Sequence, residues 1–139
     1  MKVKVKLIDG GKMPGFKTEG AVCADCYSRV DVTVPAGKRS LIPLGFAIEL
    51  PERWEAVIRP RSGLTSKGID SGIGTIDFDY RGEVKGCLIN NSDEDFIVRV
   101  GDRICQIAIR EAPVIEFEQV AELTETERGE NGFGSTGLK

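Results

Sequence analysis

Residues 128–139 read RGENGFGSTGLK, and their types point to anion and ring recognition before any element is assigned. Arg128 offers a rigid positive fork, and Ser135 and Thr136 offer hydroxyl donors. Gly129, Gly132, Gly134 and Gly137 let the backbone turn its N–H groups toward a phosphate. Phe133, the one large apolar side chain before Leu138, is a flat surface suited to a heterocyclic base. A solvated Gly/Ser tail has the same composition, so two accounts stay open: a binding arm or a loose end.

Three other stretches could carry chemistry. Residues 59–68, RPRSGLTSKG, place Arg61, Ser62 and Gly63 just before a possible helical turn, a second place for an anion; a plain Arg-Ser-Gly turn fits as well. Residues 72–84, GIGTIDFDYRGEV, read as strand, tight turn and returning strand, with Asp77, Asp79, Tyr80 and Arg81 at the tip. Asp79 is accounted for by an Asp that bonds its own turn. Asp77 follows apolar Ile76 and is expected close to buried surroundings. The chain has no histidine, so a carboxylate that activates water is the simplest chemistry open to it. In residues 101–107, GDRICQI, an acid, a base and an amide open a strand; an ion-paired turn before a core strand is the alternative. Asp25, set among small and apolar residues, needs either an arginine or a hydrated metal as partner.

Cys23 and Cys26 form a C-x-x-C, but no second such pair exists, and the spacing falls where a loop enters a strand. Free, mostly buried thiols are the expectation for all four cysteines, with zinc or a disulfide as alternatives.

The elements that must position these residues are strands. Period-two alternation marks Val3/Val5/Leu7, Val30/Val32/Val34, Val98/Val100, less regularly Ile104/Ile107/Ile109, and Ile115/Phe117. Turn residues recur at Gly10-Gly11, Pro35 to Gly37, Pro43 to Gly45, Pro51, Asn90 to Asp93 and Gly101-Asp102. That spacing belongs to sandwiches, jelly rolls and barrels. One helical turn is expected at 64–67, stopped by Gly68. The composition predicts a barrel domain over 1–123 and a flexible Gly-rich arm over 124–139.

A 139-residue chain of net charge −3 is the size of one domain, and its scattered Lys and Arg form no stripe that would track a nucleic acid. With neither a signal-peptide pattern nor a run of membrane-spanning length, a cytoplasmic protein without nucleic-acid or membrane partners is expected.

Taken together the motifs resemble the trimeric all-β deoxyuridine triphosphatases (dUTPases), whose five motifs occur in fixed order. Residues 61–68 look like the second, 74–84 the third, 101–106 the fourth, and Arg128 with 132–137 the fifth. The first is represented by Asp25 alone, since Val22-Cys-Ala-Asp25-Cys26 stands where the family has Ala-Gly-x-Asp-Leu. An Asn that some members carry near Ser71 is also absent.

The resemblance implies a distorted jelly-roll subunit in a homotrimer, with the C-terminal arm exchanged to a neighbour's site and each site built from three chains. It implies hydrolysis of dUTP to dUMP and pyrophosphate, which keeps uracil out of DNA and supplies dUMP for thymidylate synthesis. Asp77 would deprotonate the attacking water, Tyr80 would lie under the deoxyribose, and backbone groups of the hairpin from Gly74 would read the uracil edge. Ser62, Gly63 and Gln106 would contact phosphates, supported by Arg61 and Asp102. Arg128, Ser135 and Thr136 would hold the terminal phosphates, while Phe133 and Gly134 cover the base. Asp25 would bind waters of a triphosphate-bound Mg²⁺.

Two rivals differ in class. A dCTP deaminase-related enzyme would need an Arg-Ser-Ser-type motif with a catalytic Glu, where this chain has Arg61-Ser62-Gly63. A regulatory module that binds a protein partner would keep the fold, and the unusual residues around Asp25 are the feature that would favour it.

Overall fold

Alternating apolar residues become strands where a neighbouring strand takes up their backbone groups, and here nearly all of them find one. The structure, a computed structural model, describes residues 1–135 and 137. The strands are β1 (Lys4–Leu7), β2 (Ala24–Tyr27), β3 (Val32–Val34), β4 (Arg39–Pro43), β5 (Phe46–Glu49) and β6 (Trp54–Arg59). After one helical turn, α1 (Ser62–Thr65), come β7 (Ile69–Ser71), β8 (Gly74–Ile76), β9 (Lys85–Asn90), β10 (Phe96–Val98) and β11 (Arg103–Glu111). They pair antiparallel as β1-β5, β10-β3, β4-β9-β7 and β2-β11-β6-β8. This is the expected all-β, distorted jelly-roll architecture.

The core gathers Val34, Ile42, Leu44, Phe46, Ile58, Leu88, Val98 and Ile104, each 2 % exposed or less. Each such side chain contributes about 1.5–3 kcal/mol relative to exposure. Asn90, fully buried among them, donates from Nδ2 to the carbonyls of Val34 (2.9 Å) and Glu94 (2.7 Å), while its Oδ1 accepts from Ser92 N and Oγ. One amide side chain thus ties β3, β9 and the loop before β10 without an unmet polar atom.

β11 explains its own irregular pattern. The register against β2 shifts between Arg103 and Cys105, and Ile104 and Cys105 are both buried; Ile107 and Ala108 are again buried in succession, so the strand keeps no period of two. In β6, Ala56, Val57 and Ile58 are buried in succession because the strand lies inside its sheet. Its run carries no period of two.

Three readings change. No strand forms at Ile115 and Phe117, which are 66 % and 92 % exposed and pair with no strand among the described residues. β10 stops at Val98, and Val100 lies in the following turn. The helical turn begins at Ser62, two residues before the predicted start, and the chain leaves it at Gly68, φ 83°.

The last backbone tie to the body is Ala112 N to Arg53 O at 2.7 Å. Residues 112–123, placed with the barrel on composition, carry no strand of their own, and all of 113–131 is exposed.

Candidate active site

Asp25 is the centre of the first group. In the middle of β2 it lies opposite Gln106 of β11, and Gln106 in turn lies opposite Arg59 of β6. Its Oδ1 accepts from Gln106 Nε2 at 3.1 Å and sits 3.4 Å from Arg61 Nε; its Oδ2 accepts from Arg103 Nη1 at 2.9 Å. Arg61 also donates from Nη1 to the Arg103 carbonyl at 2.7 Å. Strict alternation would send residues 103 and 106 to opposite faces of β11; the bulge between them brings both onto Asp25. Burial raises the carboxyl pKa, but the bonds from Arg103 and Gln106 and the charges of Arg61 and Arg103 outweigh it. The group is held below its ordinary range.

Asp25 is 3 % exposed and its partner is arginine, one of the two outcomes its surroundings allowed. Two guanidiniums around one carboxylate leave the cluster net positive. Beside it α1 begins, with Ser62 and Gly63 exposed and their N–H groups outside the turn's own hydrogen bonds, which start at Leu64. The combination is suited to an anion.

The hairpin after β8 is the second group. Tyr80 N donates to Asp77 O at 3.1 Å, and Arg81 Nη1 donates to the carbonyls of Phe78 (2.7 Å) and Tyr80 (3.1 Å), closing the tip. Asp77, expected close to buried surroundings, is exposed: β8 alternates, and the buried position is Ile76. Tyr80 is 46 % exposed, its hydroxyl donates to Glu83 O at 3.2 Å, and its ring lies over Gly82, where a Cβ would overlap the ring and hydroxyl. Asp77 and Tyr80 line a cleft of about 270 Å³ floored by Ile58, Gly74, Ile76 and Val84.

These two groups do not meet within one chain. β2 and β8 are three strand spacings apart, roughly 14 Å. Ile76 pairs with Ala56 whereas Gln106 pairs with Arg59, so Asp77 lies four residues further along, roughly 13 Å.

Among its described residues the arm meets neither group. Arg128 Nε donates to Asn131 O, the remaining bonds of the segment are local, and Phe133 is fully exposed with φ 49°. Ser135 and Gly134 are exposed as well, and Thr136 lies outside the described residues.

Asp102, expected to support a phosphate shell, belongs to a turn: its Oδ2 accepts from Arg99 N at 2.8 Å and its carbonyl accepts from Ser28 N. All four cysteines are free. Cys26 and Cys105 are partners across β2 and β11; the neighbouring Cys105 thiol and then burial push the Cys26 thiol up, away from nucleophilic use. Sequence reasoning passed over Arg103 as a site residue, because only the bulge turns it toward Asp25. It also passed over Arg29 and Glu83, which lie 54 positions apart and join below the hairpin.

The fold and the two groups define an all-β nucleotide-directed enzyme. The family model described as dUTPase matches residues 9–137, and the chain belongs to the dUTPase family. It is 44 % identical over 144 residues to a deoxyuridine 5'-triphosphate nucleotidohydrolase of Rickettsia bellii, covering 99 % of this chain and 96 % of that one. Identity to the enzyme of that name from vaccinia virus is also 44 %, over 97 % of this chain and 92 % of that one. Among solved structures, a dUTPase of Staphylococcus bacteriophage 80alpha with dUPNHPP superposes with TM-score 0.88 at 25 % identity, covering 99 % of both chains. A phage phi11 dUTPase, described as coordinating a structural Mg(II) ion, superposes with TM-score 0.84 at 20 % identity, over 90 % of this chain and all of that one.

Proposed function

We propose that this chain hydrolyses dUTP to dUMP and pyrophosphate at sites shared between three copies. The observation that carries the shared site is the separation of Asp77 from the Asp25 cluster: a triphosphate held at one cluster needs a hairpin from elsewhere. One copy supplies the cluster with Ser62, Gly63 and Gln106 for the phosphates, a second supplies the hairpin, and a third supplies the arm.

At the assembled site Asp77, solvated and unpaired with any arginine, accepts the proton of the attacking water. Tyr80 packs under the deoxyribose and excludes a 2′-hydroxyl by contact. Backbone groups of β8 from Gly74 read the uracil edge. Arg61 and Arg103 offset phosphate charge through a preformed framework rather than through covalent chemistry. Arg128, Ser135 and Thr136 take the terminal phosphates, and Phe133 with Gly134 covers the ring.

Among the described residues no three carboxylate or thiol groups converge on a metal position, so the donor set does not form a cage. Asp25 fits a different role. Its carboxylate has about four acceptor sites, of which Arg61, Arg103 and Gln106 engage three, leaving one for a water of Mg²⁺ carried in by the triphosphate. When bound, that ion supplies charge neutralisation.

The chain itself suggests how copies join. A groove of about 360 Å³ is lined by Val3, Val5, Met13, Phe16, Ile107 and Ile109, and β1 pairs on one side only. Val114, Ile115, Phe117 and Leu123 are at least 66 % exposed. In 115–118 apolar residues alternate with Glu116 and Glu118 as Val3 and Val5 alternate with Lys4 and Lys6. The segment of a neighbouring copy therefore matches the groove in apolarity and the edge in charge.

Pyrophosphate release measured side by side from dUTP, dCTP, dTTP and UTP, with and without EDTA, tests the activity. Release confined to dUTP and weakened by EDTA is expected; ammonia release from dCTP would support the deaminase reading instead.

A further inference from the structure

Tyr80 is half exposed, so the core does not hold its ring. Two things do: the ring lies over Gly82, and its hydroxyl donates to the carbonyl of Glu83. The position of Glu83 therefore decides where the ring stands. Its own carboxylate is fixed at three points, accepting from Arg29 Nε at 2.8 Å, Arg29 Nη2 at 3.1 Å and Gly45 N at 3.0 Å. Both side chains of the pair are largely covered, 23 % and 18 % exposed. A bidentate fork of this kind fixes direction as well as distance.

Arg29 is itself anchored. Its N–H donates to Pro43 O at 3.0 Å, and its Cδ packs against Gly45, where an added Cβ would come within 3.2 Å. Gly45 holds φ 75°, in the left-handed region, which aims its N–H at Glu83. Next to the clamp, Val84 N donates to Phe46 O at 2.8 Å and Leu44 N to Val84 O at 3.0 Å. The hairpin root is thus tied to the loop between β4 and β5, and Arg29 connects that tie to the turn after β2.

We propose that the Arg29–Glu83 pair is a positioning device that sets the height of the Tyr80 ring and so the discrimination between deoxyribose and ribose substrates. Arg29 touches no substrate in this arrangement; it acts through Glu83 and then Tyr80. The inference rests on the reading of Tyr80 as the sugar wall.

The test compares kcat/KM for dUTP and UTP in the wild type, Arg29→Met, Arg29→Lys, Glu83→Gln, Tyr80→Ala and the double variant Arg29→Met with Tyr80→Ala. A wild type that does not discriminate dUTP from UTP would refute the underlying reading, independently of the clamp. With a discriminating wild type, Arg29→Met is expected to lower the dUTP to UTP ratio about 3- to 10-fold, with Arg29→Lys restoring part of it. On a Tyr80→Ala background, Arg29→Met should change the ratio no further, which a general loss of stability would not produce. Should Arg29→Met fail to fold, Glu83→Gln retains the side-chain shape and carries the same expectation. An unchanged ratio in a folded Arg29→Met or Glu83→Gln protein, or additive effects in the double variant, would overturn the proposal.

Discussion

Gln106 and Asp25 face each other across the β11–β2 ladder, Gln106 Nε2 donating to Asp25 Oδ1 at 3.1 Å, while Arg103 from the same strand takes the other oxygen at 2.9 Å. Replacing Asp25 by Ala leaves two guanidiniums facing each other. A cost of about 2–3 kcal/mol in urea unfolding is expected, below that of a fully buried pair because both arginines retain some water.

The same carboxylate sets an acid limit. Its folded pKa lies below the ordinary aspartate range, so its contribution to stability is complete above the unfolded value and is lost as pH falls through the folded one. Glu83, held low chiefly by its hydrogen bonds from Arg29, has the same sign. Unfolding midpoints should be flat from pH 7 to about 5 and fall below pH 4; in Asp25→Asn the fall should be shallower.

Asp77→Asn should leave the fold and nucleotide binding intact and lower kcat by about 10²- to 10⁴-fold, the contribution of a positioned base. Turnover near the wild-type value would remove Asp77 from the mechanism.

Two truncations should separate assembly from catalysis. Ending the chain after Thr126 keeps 113–123 and should give a light-scattering mass of three shortened chains, below the three times 15.1 kDa expected of the full-length protein, with hydrolysis nearly abolished. Ending it after Ala112 should also lose the trimer. Full activity in the first, or a stable trimer in the second, contradicts the arrangement.

Asn90→Ala should cost about 2 kcal/mol in urea unfolding, because it strands the Val34 and Glu94 carbonyls.

Much of this was legible in the residues. Glycines and prolines marked the turns, and alternation marked β1, β3 and, less regularly, β11. The Arg61-Ser62-Gly63 turn, the Asp77–Tyr80 tip and the Gly-rich arm stood out by type alone. What escaped depended on pairing: β6 shows no period because it is covered on both sides, and Arg103 reaches Asp25 only through a bulge. Ile115 and Phe117 alternate like a strand yet pair with nothing among the described residues, so alternation alone could not place them. Glu83 and Arg29 could not be linked from sequence, since nothing local to either requires the other.

The backbone tie at Ala112, the last to the body among the described residues, has a kinetic meaning. The 16 residues from there to Arg128 can span at most about 55 Å when extended, against a radius of gyration near 13 Å for a body of this size. The extended segment is therefore longer than the body it leaves is wide. On the proposed shared site, Arg128, Phe133 and Ser135 would meet bound nucleotide at an effective concentration of the order of millimolar, whatever the dilution of the protein. Each contact can therefore be weak, and product can leave quickly, without the arm ever having to be captured from solution.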